Sequence, residues 1–173
     1  MRMRSDAKLV ELARRGSRDA AAELFTRHWR AAWRAAYVVT GRRELADDVA
    51  QDAFERAFAA LSRFDERRPF GPWLHRIVVN RAIDWARARE LRRELSAEAA
   101  PDPAAPARAD AEHAGRLAGG LTELSPEHRA VIVLRYLLEY TPGEIAELLD
   151  LPRGTVNSRL RRGLDRLQEL FDE

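Results

Sequence analysis

From Ser96 to Gly115 the chain reads SAEAAPDPAAPARADAEHAG, with no hydrophobic side chain larger than alanine and prolines at 101, 103 and 106. Such a segment can bury almost nothing, and each proline removes a backbone N–H and clashes with the turn before it, so no continuous helix can cross it. Compact structure must form on either side. The 173 residues therefore divide into an N-terminal stretch, 1–95, and a C-terminal one, 116–173, each long enough for a small core. At about 3 Å per residue the extended linker 96–115 reaches several tens of ångströms, which lets the flanking domains dock at separate places.

Hydrophobic periodicity in both stretches is helical, and the expected fold class is all-α: two small helical domains and a linker. In the first, Leu9, Val10, Leu12 and Ala13 predict a short amphipathic helix over 6–15. Ser17 caps a longer one to Thr40, in which Phe25, Trp29, Trp33 and Tyr37 stand four apart and are expected in the core. The next helix, 44–61, has two unlike faces. Leu45, Val49, Ala53, Phe54, Ala57, Phe58 and Leu61 form an apolar one; Asp47, Asp48, Gln51, Asp52 and Glu55 cluster on the other. Like charges one helical turn apart repel by a few tenths of a kcal/mol per pair, so local stability does not explain the cluster. Either a basic partner surface or a solubilising role does.

The run SRFDERRPFGP, 62–72, is too rich in charge, proline and glycine to be helical throughout and reads as an ordered loop carrying Phe64 and Phe70. After it, a helix to about Arg93 buries Trp73, Leu74, Ile77, Val78 and Trp85, and lays Arg76, Asn80, Asp84 and Arg87 along one polar stripe beside Arg81. Aromatic rings next to a basic helix suit single-stranded nucleic acid, since bases stack on rings at about 1–3 kcal/mol each while arginines follow phosphates. The competing reading makes Phe64, Phe70 and Trp73 core.

In the C-terminal stretch Ser125 caps a helix with Pro126 at its first position and Val131, Leu134 and Leu138 facing inward. Then comes TPGEIAELLDLPRGTVNSRLRRGLDRL, 141–167. Thr141 and Glu144 make a capping box, the first helix stops near Asp150, and Val156, Leu160, Leu164 and Leu167 repeat at helical spacing through a second one. That is a helix-turn-helix in outline. The second helix carries Arg153, Arg159, Arg161, Arg162 and Arg166 against Asp165 alone, with Asn157 and Ser158 near its start, where a recognition helix meets base edges. Without context the same pattern fits a helical hairpin with a solvated basic face.

With 30 Lys+Arg against 28 Asp+Glu, any nucleic-acid surface must be a local patch. No cysteine is present, which excludes disulfides, Cys-type zinc sites and thiol sensing by this chain. The four histidines, 28, 75, 113 and 128, have no metal spacing, and no nucleophile elbow or glycine-rich phosphate loop occurs, so neither an enzyme nor a metal or cofactor site is expected. The N-terminus lacks an apolar signal-peptide region and no run of apolar residues is long enough to span a bilayer, which predicts a cytoplasmic protein without membrane insertion.

Four stretches in order, ADDVAQDAFERAF from Ala46, FGPWLHRIVVNRAIDWAR from Phe70, LSPEHRAVIVLRYLLEY from Leu124 and EIAELLDLPRGTVNSRLRRGLDRL from Glu144, resemble the extracytoplasmic-function (ECF) sigma factors of bacterial RNA polymerase. The resemblance covers nearly the whole chain. It implies a transcription initiation factor that binds core polymerase, reads promoter elements near minus thirty-five and minus ten, and helps melt the DNA. By it, Asp47, Asp48, Gln51, Asp52 and Glu55 would meet the clamp helices of the largest subunit, and the C-terminal domain the flap of the second-largest.

Phe64, Phe70, Trp73, Arg76, Asn80, Arg81, Asp84 and Arg87 would serve the minus-ten element and melting, with the 62–70 loop pocketing a flipped base. Arg153, Thr155, Asn157, Ser158, Arg159, Arg161 and Arg162 would serve the minus-thirty-five element. An anti-sigma protein is the expected regulator. Three positions depart from the family pattern: Asn157 replaces a common lysine or arginine, Gly163 a usual alanine, and Tyr140 a common glycine. The alternative is a stand-alone helix-turn-helix regulator, which would bind a two-fold symmetric operator unaided.

Overall fold

Serine caps start the first two helices of the computed structural model, which describes residues 4–96 and 119–172. Ser5 accepts a hydrogen bond from the Lys8 N–H and opens α1 (Asp6–Arg14); Ser17 accepts one from the Ala20 N–H and opens α2 (Arg18–Thr40). α2 ends on Gly41, whose φ of 69° is left-handed and whose N–H donates to the Tyr37 carbonyl. α3 (Arg43–Ala60), a 3-10 turn (Leu61–Arg63), an ordered loop and the long α4 (Phe70–Ser96) complete the N-terminal unit.

Its core is made by Leu9, Val10, Leu24, Val39, Val49, Phe54, Leu74 and Val78, with buried alanines on both α2 and α3 where those helices pack together. The α2 aromatics are placed differently from expectation. Phe25 stacks on Trp29 at 4.9 Å and Trp33 on Tyr37 at 5.2 Å, but Phe25 is exposed and the other three are half-buried. A four-residue spacing overshoots a full turn by about 40°, so the rings wind across the edge of the buried face. Ala20, Leu24, Ala32, Ala35, Ala36 and Val39 occupy its middle.

In the C-terminal unit residues 119–122 are helical, and Ser125 caps α5 (Pro126–Ile132), which runs on into a π-helical turn (Val133–Leu137). Thr141 and Glu144 form the expected capping box at the head of α6 (Pro142–Leu149). Asp150 closes that helix in the left-handed conformation, φ 55°, which aspartate tolerates better than most residues, and α7 (Arg153–Asp172) follows. Val156, Leu160, Gly163 and Leu167 form the buried stripe of α7, which packs on α5 and α6; Leu164, expected in the stripe, is exposed.

The expected linker, 96–115, lies outside the described residues apart from Ser96, the last residue of α4. The two units touch: α5 packs on α2 and α4, and α6 on α4. No helix among the described residues is long and apolar enough to cross a membrane.

Candidate nucleic-acid and polymerase interface

The inner side of α7 is fixed by its apolar stripe, so its outer side is fixed too. Arg153, Asn157, Arg161 and Arg162 are exposed there, and Thr155, Ser158 and Arg159 are half-exposed at the flank. None of Arg153, Arg159, Arg161 and Arg162 has a carboxylate partner among the described residues, whereas Arg166 is held by Glu169 at 3.1 Å. Their field reaches the neighbouring helix: His128 is held below its ordinary pKa by burial first and then by Arg159 and Arg162. Four unneutralised guanidiniums around an asparagine and a serine form a surface that can take phosphates and base edges without first breaking ion pairs. Gly163 is explained by contact. A Cβ there would stand 2.8 Å from Ile132 Cδ1, so the missing methyl is what lets α7 approach α5.

On α4, Arg76, Asn80, Asp84 and Arg87 are all exposed, as their spacing requires. Two arginines are already engaged. Arg81 donates to Asp52 Oδ2 of α3 at 2.5 Å and lies 3.7 Å from Asp84, and Arg87 is ion-paired with Glu127 of α5. Of the two readings of Phe64 and Phe70, the structure has both rings largely packed inside. Phe64 is 6 % and Phe70 2 % exposed. They pack on each other at 6.0 Å and on half-buried Trp73 at 4.7 and 5.8 Å, with Phe70 also edge-on to His28 at 5.3 Å. The rings turn inward onto α2 and α4, where His28 and Trp73 meet them. What the loop leaves open is a cleft of about 380 Å³ lined by Asp6, Val10, Phe64, Arg67, Arg68 and Phe70.

Comparison with known proteins decides what these two surfaces belong to. The Sigma-70 region 2 family model matches residues 24–92 and the Sigma-70, region 4 model residues 120–169. The chain is 31 % identical to the ECF RNA polymerase sigma factor SigW of Bacillus subtilis, over 94 % of each chain. It is 36 % identical to SigM of Mycobacterium tuberculosis, over 97 % of this chain and 85 % of that one. Among solved structures, CnrH, a sigma factor of Cupriavidus metallidurans in complex with the cytosolic domain of CnrY, matches with a TM-score of 0.72 and 33 % identity over 96 % of this chain and 97 % of that chain. The chain belongs to the ECF RNA polymerase sigma factors.

In this sigma factor the acidic face of α3 is less free than its sequence suggests. Asp47 accepts a hydrogen bond from Trp33 Nε1 at 2.6 Å, Gln51 donates to Glu55 at 3.0 Å, and Asp52 is gripped by Arg56 at 3.0 Å as well as by Arg81. Burial raises the Asp52 pKa, but the bonds from Arg81 and Arg56 outweigh it and hold the group below the usual aspartate value. Asp48 is exposed and has no hydrogen-bond or ion-pair partner among the described residues.

Sequence reasoning missed the contact between the units. Tyr140 reaches α4 and shares a hydrogen bond of 2.8 Å with His75 Nδ1; Arg129, 5 % exposed, faces Glu90 at 3.8 Å; and Gly41 abuts Thr122. The one available signal was Tyr140 itself, large where the family pattern is small. Among the described residues no group of histidines and carboxylates is placed to hold a metal ion.

Proposed function

We propose that this chain brings core RNA polymerase to its promoters by reading the minus-thirty-five element with α7 and the minus-ten element with α4. The carrying observation is the unneutralised guanidinium set of α7, set apart on one chain from the polar stripe Arg76, Asn80, Asp84 and Arg87 of α4. Asn157, Ser158 and Arg162 contact bases, while Arg153, Thr155, Arg159 and Arg161 hold backbone. On α4, Asn80, Asp84 and Arg76 meet duplex edges and Arg87 meets phosphate. Arg81 acts through Asp52 to position α4 against α3.

The cleft beside the 62–70 loop takes the flipped base, with Arg67, Arg68, Phe64 and Phe70 in its lining. Trp73, half-buried, packs against both rings and holds them in place. Asp48, with Asp47, Gln51, Asp52 and Glu55 around it, faces the clamp helices of the largest subunit, and the C-terminal unit faces the flap of the second-largest. The work is done in the cytoplasm, by binding alone. A separate anti-sigma protein holds the factor inactive; a relative of similar length, CnrH, is likewise found bound to a separate protein, the cytosolic domain of CnrY.

The test is run-off transcription from a genomic promoter pool with core polymerase, with and without the full chain. Specific initiation that depends on the chain is expected; an identical transcript pattern in both reactions refutes the reading.

A further inference from the structure

The guanidiniums of α7 do not stand alone, because α5 crosses that helix beside two of them. A Cβ on Gly163 would lie 3.6 Å from His128 Cβ, so the close approach sets His128 of α5 against the α7 backbone. Arg159 stands one turn before that point and Arg162 immediately before it. At 100° per residue the two side chains leave α7 about 40° and about 100° round from Gly163, both on the same side. His128 thus sits at the edge of the DNA-facing surface, half-exposed, with the two cations nearby.

The ring is held in place without being used up. Its Nδ1 shares a hydrogen bond of 2.7 Å with Ser125 Oγ, the cap of α5, and its Nε2 has no partner among the described residues. The serine hydroxyl can donate to Nδ1 when the ring is neutral and accept from it when the ring is protonated. In both states Nε2 carries a hydrogen and is free to donate, so a change of charge needs no change of pose.

The charges around the imidazole are unbalanced. Burial comes first in holding its pKa below the ordinary 6.5, and Arg159 and Arg162 add to that. Glu127 beside it favours the charged ring, but that carboxylate is already taken by Arg87 of α4. Farther along α5, Arg129 faces Glu90 of α4 and abuts the turn that ends α2. Among the described residues no carboxylate pairs with Arg159 or Arg162. A DNA phosphate between Arg159 and His128 would neutralise the first and favour charge on the second.

We propose that His128 is a further promoter contact: its Nε2 and Arg159 take one DNA phosphate beside the base read by Arg162, and binding there draws a proton onto the imidazole. α5 thereby adds to a surface otherwise made by α7. The bound state holds more protons than the free one, so acid favours binding and the grip on the minus-thirty-five element weakens as pH rises. The inference rests on the assignment of α7 to that element.

The full-length chain is titrated by fluorescence anisotropy, between about pH 6 and about pH 8 at fixed ionic strength, with the minus-thirty-five duplex of a promoter recovered in the run-off assay. Wild type is expected to bind several-fold more weakly at the alkaline end. His128→Gln should bind weakly throughout and lose that dependence, whereas His128→Arg, a fixed cation, should bind tightly at both ends. An imidazole with a structural role alone would not be rescued by arginine at alkaline pH. A second arm needs no protein variant: phosphates of the duplex are replaced one at a time by neutral methylphosphonate. At one backbone position the wild type should lose its pH dependence, and at the others keep it.

The same pH dependence in His128→Gln as in wild type overturns the proposal. So does a His128→Arg no tighter than His128→Gln at alkaline pH, or a methylphosphonate scan without such a position. A wild type that binds the promoter duplex and a scrambled one equally at every pH overturns the minus-thirty-five assignment instead.

Discussion

Gly163 sits in the middle of the recognition helix, where glycine costs about 1 kcal/mol relative to alanine. An exposed Gly163→Ala change would return that amount. Here the added methyl would lie 2.8 Å from Ile132 Cδ1 and 3.6 Å from both Ile132 Cγ1 and His128 Cβ. Ile132 is 7 % exposed, so its terminal methyl can give way only within a packed core. Overpacking of this kind costs about 1–3 kcal/mol, and the expected balance for Gly163→Ala alone is a loss of about 0–2 kcal/mol.

Ile132→Val removes the clashing atom and by itself costs about 0.5–1.5 kcal/mol. In the double variant the alanine methyl occupies the space that Cδ1 leaves, so the helix gain is recovered without the overlap. The double-mutant cycle should show about 1–3 kcal/mol of favourable coupling, with the double variant at least as stable as either single one. Urea unfolding followed by far-UV circular dichroism measures all four proteins. Additivity within about 0.5 kcal/mol, with Gly163→Ala stabilising on its own, would sink the argument that close approach is what keeps glycine there.

Asp52→Asn should destabilise the N-terminal unit by about 1–2 kcal/mol by breaking its bonds to Arg81 and Arg56, partial exposure limiting the loss, whereas Asp48→Ala should leave urea midpoints unchanged and weaken polymerase binding. Because the folded Asp52 pKa is lowered, its contribution is present above the unfolded value of 3.8 and lost as pH falls through the folded one, and the Asn variant should lose that acid-side dependence. His75 behaves differently: burial, with His28 adding to it, pushes it down from 6.5 to about 4, so the unfolded chain binds the proton first and stability falls as pH drops between those values. Between pH 7 and 5 that should cost about 2 kcal/mol, a slope that His75→Leu should flatten in the same unfolding assay. On α7, Arg162→Ala should relax base preference by about 1–3 kcal/mol at one promoter position, while Arg161→Ala should weaken all sequences alike and lower the salt slope by about 1, both read by binding of minus-thirty-five duplexes at graded ionic strength.

Local chemistry was legible in the sequence and three-dimensional partnership was not. The caps at Ser17, Ser125 and the Thr141–Glu144 box stand where they were read, because a cap depends on residues within one turn of each other. The outer face of α7 was legible for the same reason: Val156, Leu160 and Leu167 fix one side and so fix the other. Phe64 and Phe70 were not, since a loop composition gives no direction for its rings, and the space they fill is set by α1, α2 and Trp73. The Phe25 to Tyr37 stripe misled in a more regular way, because alanines elsewhere on α2 make the tighter helix contact and the large rings are displaced to its edge.

The arginines carry the same lesson into function. Arg81, Arg87 and Arg161 all stand on basic helix faces and look alike in sequence. Arg81 is tied to Asp52, 29 residues away, and Arg87 to Glu127, 40 residues away, while Arg161 meets no carboxylate among the described residues. A guanidinium already held by a carboxylate must give up that partner to take a phosphate, so its net gain on DNA is smaller than that of a free one. It follows that, arginine for arginine, the α7 face gains more from a phosphate than Arg81 or Arg87 of α4 does.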